Sequence, residues 1–152
     1  VTSTIEELEL APASFDAVIF VMSYHDLYWR PADGSWPSTD PALLLAKLHA
    51  ALKPGGVIAL HVSNSHLDLR PVVGRIAAEL DLQLAYIAGG GVEGEVGTSA
   101  SDWILLAEDR RLLDRPLIRQ ATVPMPQRAG ARAWTDDYSN ILQVLSFGSG
   151  SG

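Results

Sequence analysis

The chain has 152 residues, 47% hydrophobic and 19% charged, which suits one domain with one core and excludes a mainly disordered protein. Its net charge of −7 excludes the broad basic footprint of a nucleic-acid binder. With no cysteine there is no disulfide, no thiolate zinc site and no cysteine nucleophile. No apolar run reaches the length of a membrane span, and the start VTSTIEELEL lacks the basic-then-apolar pattern of a signal peptide. A cytoplasmic location is therefore expected. A first residue of Val rather than Met reads as a start inside a longer gene. The closing GSGSG, residues 148–152, reads as a flexible tail, leaving residues 1–147 as a single domain.

In chain order, a stretch of mixed polarity from Ser3 to Leu10 leads into AVIFVMS, residues 17–23. That run is apolar on both faces, as a buried parallel strand requires. The loop YHDLYWRPADGSWPSTD follows, dense in turn formers and aromatics. Thr39 or Asp40 then caps a helix with Pro41 in its first turn and Leu43, Leu44, Leu48 and Leu52 at helical spacing. Lys53-Pro54-Gly55-Gly56 ends it. VIALHVS, residues 57–63, is a second buried strand. After SNSHLDLRP, Asp68 caps a helix over PVVGRIAAEL whose stripe is Val72, Val73, Ile76, Ala77 and Leu80. LQLAYIA is a third strand, AGGGVEGEVGTSAS a flexible connection and WILLAE a fourth strand. A short helix near Arg110–Leu113 follows, and WTDDYSNILQVLS ends in a short amphipathic stretch.

Strand, helix, strand, helix, strand, strand predicts an α/β fold, a mostly parallel sheet with helices packed on it. In such sheets ligands meet the loops at the carboxyl ends of the strands, here YHDLYW and SNSHLDL. His25 is a candidate proton shuttle, with Asp26 orienting it or holding a cationic substrate. Tyr24, Tyr28 and Trp29 are candidate substrate contacts, the last two as an aromatic wall; the alternative is a loop packed by its own aromatics. Asn64 offers an amide within Ser63-Asn64-Ser65-His66, where the alternative is capping and turn bonding. No metal site is expected: His49 lies inside a helix, and His25, His61 and His66 lack ligand spacing.

Two stretches resemble known families. FDAVIFVMSYHDLYWRPADGSWPSTDPALLLAKLHAALKPGG, within residues 1–56, resembles the fourth strand, fourth helix and LKPGG turn of class I S-adenosylmethionine-dependent methyltransferases, and in particular a bacterial group with a YHDLYW loop. HVSNSHLDLRPVVGRIAAELDL and WTDDYSNILQVL, within about residues 61–146, resemble the carboxyl-terminal part of bacterial spermidine-synthase-like proteins. The two families share one fold, so a chimera joined near Val57–His61 is expected, with a divergent natural gene as the alternative.

The resemblance implies a truncated Rossmann-like methyltransferase fold whose parent activity is methyl transfer to a small acceptor. The alternatives are an aminopropyltransferase module and a non-catalytic module. It implies S-adenosylmethionine or its decarboxylated form as donor in the parent families, and gives Asp136, Asp137 and Tyr138 a role in recognising a cationic or polyamine substrate, the alternative being an exposed turn before the terminal helix. Three departures count against catalysis by this chain. Leu60-His61 stands where an acidic residue and His are expected. Val21 or Met22 stands where a spermidine synthase has its catalytic Asp, with only Asp26 left to match the second acid. Nothing before Phe15 supplies a Gly-rich cofactor loop, and the cluster Gly89, Gly90, Gly91, Gly94 and Gly97 leads into a strand, not a helix. The chain alone is expected to bind no cofactor, and to self-associate or to need an amino-terminal half.

Overall fold

The computed structural model describes residues 7–21, 23–28, 32–35, 40–63, 68–90 and 101–125, without the side chain of His25. Strand β1 is Phe15–Phe20 and is followed by a single 3-10 turn, Tyr24–Tyr28. Helix α1 is Pro41–Ala51, strand β2 Leu52–His61, helix α2 Arg70–Glu79 and strand β3 Gln83–Ile87. Strand β4 is Trp103–Ala107, and the short helices α3, Arg110–Leu113, and α4, Pro116–Ala121, complete the order.

The four strands form one sheet in the order β1-β2-β4-β3. β1 and β2 pair in parallel, while β4 runs antiparallel to both β2 and β3. β1, β2 and β3 therefore share one direction, as the crossover helices α1 and α2 require. The expected mostly parallel pairing is corrected by β4, which enters backwards between β2 and β3 and makes two of the three ladders antiparallel. The reason is local: Gly89 and Ser101 pair antiparallel at the base of the connection, so the chain turns back beside β3 there.

Local chemistry accounts for the element ends. Asp40 caps α1, its Oδ1 accepting from the amides of Ala42 at 2.8 Å and Leu43 at 3.3 Å, and Pro41 occupies the first turn. Gly55 takes φ +79°, the left-handed region open to glycine, and lets the KPGG turn step out of the ladder. Pairing accordingly jumps from Phe15 opposite Leu52 to Ala17 opposite Val57. Ala17 and Val57 are the positions at which the sequence predicts the two strands to begin. Gly89 pairs with Ser101 through two backbone hydrogen bonds of 3.1 and 2.9 Å at the base of the β3–β4 connection. A Cβ on Gly89 would lie 2.3 Å from the Ser101 carbonyl oxygen, so only glycine fits.

Alternation along the strands sends Ile58 and Leu60 of β2 and Ile104 and Leu106 of β4 to one face. There they pack with Leu44, Leu45 and Leu48 of α1 and Val72, Val73 and Ile76 of α2 in the main core. Leu45 fills the place expected for Leu43, which is half exposed. On the opposite face Ala85, Ala107 and Leu113 form a smaller cluster with Leu105, Leu112 and Ile118, so α3 and α4 cover the β3–β4 half. Among the described residues no helix is long and apolar enough to cross a membrane.

Candidate functional site

The carboxyl ends of β1, β2 and β3 bring three chain segments to one end of the sheet. After β1 the 3-10 turn folds inward. Tyr24 is 0% exposed and Tyr28 8%, and both belong to the main core. Tyr24 stands edge-on to Phe20 at 6.2 Å and to Tyr28 at 5.6 Å, and the Tyr28 hydroxyl donates to the Tyr24 oxygen at 3.0 Å. Burial pushes the Tyr24 phenol well above its usual value, against a smaller opposing effect of the hydrogen bond to Tyr28. The loop is thus packed by its own aromatics. As placed, Tyr24 is fully enclosed and Tyr28 nearly so.

Asp26 is partly exposed on the same turn, and its amide donates to the Ser23 carbonyl at 3.1 Å. The side chain of His25 and the residues Trp29, Asn64, Asp136, Asp137 and Tyr138 lie outside the described residues. The structure therefore brings together only Tyr24, Asp26 and Tyr28 of the predicted set.

A second cluster lies at the ends of β2 and β3. Arg70, at the start of α2, grips Asp68 with Nε at 2.7 Å and Nη2 at 3.0 Å, and its Nη1 donates to the Tyr86 hydroxyl at 3.0 Å. That hydroxyl donates to the Asp102 carboxylate at 2.7 Å. The Asp102 amide donates to the Ser63 Oγ, and its carbonyl accepts from the Val62 amide at 2.9 Å. The hydrogen bonds to Asp68 hold the Arg70 guanidinium more firmly protonated than usual, against some loss of solvation. Burial, then the bond to Asp102, raises the Tyr86 phenol, while Arg70 acts the other way. Asp68 also accepts from the Arg70 amide at 3.2 Å, one residue before the α2 cap at Leu69, so it does serve the helix end.

Sequence reasoning found Asp68 as a cap and Ser63 as a polar loop residue but missed Arg70, Tyr86 and Asp102. The spacing Asp68-Leu69-Arg70 was the signal on the page; Tyr86 and Asp102 carry none, because their partners are remote in sequence. Chemically the cluster is an ion-paired strut. The guanidinium is shared among two carboxylates and a phenol, so it joins four segments rather than presenting a free donor.

Near it, His61 stands edge-on to Trp103 with centroids 5.2 Å apart, and its buried Nδ1 has no hydrogen-bond partner among the described residues. Leu60 of the Leu60-His61 pair is fully buried in the core. Of Val21 and Met22, the two residues expected at the position of a catalytic Asp, Val21 is 55% exposed and Met22 lies outside the described residues.

The described residues do not fit a nucleoside-type donor. Gly89 spends both its N–H and its C=O on Ser101, and carboxylates occupy the amide-rich starts of α1 and α2 through Asp40 and Asp68. Among the described residues no group of three His, Asp or Glu side chains is arranged to hold a metal ion. Compared with protein-family models and with curated proteins, the chain matches none.

Proposed function

We propose that the chain is the carboxyl-terminal portion of a Rossmann-like transferase domain, whose parent activity is methyl transfer from S-adenosylmethionine to a small acceptor, and that it does not catalyse alone. The observation that carries this reading is the common direction of β1, β2 and β3, with α1 and α2 on one face. That arrangement gathers the YHDLY turn, His61-Val62-Ser63 and the Arg70 strut at the strand ends where such folds bind ligands. The enclosed tyrosines and the carboxylate-capped helix starts support a scaffold role for this segment, with donor binding supplied from elsewhere.

Calorimetric titration with S-adenosylmethionine tests it in two arms. The 152-residue chain is expected to give no saturable binding in the low micromolar range, about −8 kcal/mol. The same chain extended by its upstream reading frame is expected to bind. Tight binding by the chain alone overturns its dependence on another segment. No binding by the extended form overturns the transferase reading.

A further inference from the structure

We propose that Met125 is an oxidation-sensitive latch: transfer of one oxygen atom from a peroxide to its sulfur releases the strap of residues 122–125 and uncovers the outer edge of β3. The strap wraps that edge from one face of the sheet to the other. It begins at α4, whose Ile118 packs in the smaller cluster. Thr122 is tied back to the helix, its amide and its Oγ1 both donating to the Ile118 carbonyl, at 2.9 and 2.8 Å. Thr122 then bridges Ile87, and the Val123 amide donates at 2.9 Å to the carbonyl of Tyr86, the residue whose hydroxyl lies in the strut. Two residues on, Met125 packs against the main core on the other face.

The end of the strap is held by a notch in α2. Pro124 has no N–H to donate, so the backbone ladder cannot run on from Val123 through it. Gly74 stands inside α2, where glycine is the poorest helix former after proline. A Cβ there would lie 2.8 Å from the Met125 Cε, so the end of the methionine occupies the space that a side chain of α2 would fill. An alanine at this position would meet only the pliable tip of Met125; a longer side chain would take the notch itself.

The chemistry at the sulfur is a two-electron oxidation. Met125 is only partly buried, so a reagent as small as hydrogen peroxide reaches it. The chain has no cysteine, and Met22 is its one other methionine. A lone pair of the thioether sulfur attacks one peroxide oxygen, the O–O bond breaks, and the second oxygen leaves as water. The thioether is oxidised to a sulfoxide and the peroxide is reduced. A sulfoxide is polar and larger than a thioether, and seating it against an apolar core is unfavourable. The strap then keeps only its bonds at the rim of the sheet, and the edge of β3 opens to water and to other chains.

Hydrogen exchange at the Val123 amide reads the strap, and exchange along β4 reads the rest of the sheet. Hydrogen peroxide is expected to add one oxygen to Met125, located by peptide mass mapping, and to quicken Val123 exchange at least about tenfold while β4 is unchanged. Methionine sulfoxide reductases for both epimers are expected to reverse both changes. Met125→Leu keeps an apolar end without the sulfur and is expected to stay closed before and after peroxide, even as Met22 oxidises. Met125→Gln, with a polar end, and Gly74→Leu, which fills the notch with a good helix former, are each expected to quicken Val123 exchange without peroxide. Should Gly74→Leu fail to fold, Met125→Gln decides. Slow Val123 exchange in a chain oxidised at Met125 overturns the proposal, as does a folded chain whose Met125 resists peroxide. A Met125→Leu chain that answers peroxide as the unmodified one does puts the switch at another residue and overturns it too. Slow exchange in a folded Met125→Gln or Gly74→Leu chain shows that the notch does not hold the strap and has the same force.

Discussion

The two edges of the sheet are finished differently. At the β3 edge the chain that has left β4 returns: α3 and α4 cover the face, and Thr122 and Val123 cap the strand beside Ile87 and Tyr86. At the β1 edge residues 7–14 run beside α1, and among the described residues nothing joins the ladder beyond β1 or covers its opposite face. Where a strand is covered, its outward residues are small or buried, as with Ala85 and Ala107; where it is not, Ile19 and Val21 face solvent. An edge strand rich in large apolar residues marks the side of a fold that other chain is needed to complete.

The sharpest way to break this contrast is to truncate one apolar side chain on each side. Leu113→Ala, at a fully buried position under the β3–β4 half, is expected to lower stability by about 2–5 kcal/mol. Ile19→Ala on the bare side is expected to change it by no more than about 0.5 kcal/mol. Urea denaturation of both variants at a concentration that keeps the chain monomeric gives the comparison, and equal losses would show that the β1 side is covered after all. A smaller effect is expected at the strut. Arg70→Ala leaves Asp68, Asp102 and the Tyr86 hydroxyl without their shared cation and should cost about 1–3 kcal/mol, discounted for the partial exposure of the pair. Amide exchange should quicken at Asp102 and Val62 but not in β1; quickening spread evenly over the sheet would show that the strut does not belong to the β3 side alone.

Tyr24 sharpens the contrast by showing that β1 is bare on one face only, since its other face is sealed by this fully buried ring. The folded-state phenol titrates above its usual value, so between the two values the unfolded chain releases a proton that the folded chain keeps. Stability is then complete below the usual tyrosine value of about 10 and falls as pH rises beyond it, by up to about 1.4 kcal/mol per pH unit for one group. Tyr86 adds a contribution of the same sign. Tyr24→Phe should flatten the alkaline slope measured by denaturation at several pH values; an unchanged slope would mean that Tyr24 ionises freely in the fold.

Much of the main core was legible in the sequence because its signals are local. The Asp40-Pro41 start of α1, the Val72, Val73 and Ile76 stripe of α2, the onset of regular pairing at Ala17 and Val57, and the short helix Arg110–Leu113 all follow from capping, turn chemistry or periodicity. Helix α4 was not read, since LIRQA has too few residues to show a period. The reversal of β4 was hidden behind a rule about crossover helices, which says nothing of a chain that turns back through Gly89 and Ser101. The Arg70 strut was hidden for another reason: its parts come from the ends of β2 and β3 and the starts of α2 and β4, and only the folded sheet brings them together. The YHDLY turn was legible as a special loop, but not that its aromatics point inward, because polarity and position do not fix which way a turn rolls over the core.

The position of β4 has a consequence for the order in which the molecule comes into being. In the finished sheet β2 and β3 never touch, since the five residues WILLA lie between them. On the ribosome α1, β2, α2 and β3 are all made before β4. Until it emerges, β2 and β3 each hold an inward-facing row of unpaired backbone groups beside Ile58, Leu60 and Leu84. Of the four described strands the last to be synthesised is thus an interior one, and pairing it with β2 must wait for contacts between residues more than forty positions apart, as with His61 and Trp103. Such long-range closure is slow. A nascent or truncated chain that stops within residues 91–100 therefore exposes sticky strands at the heart of the fold.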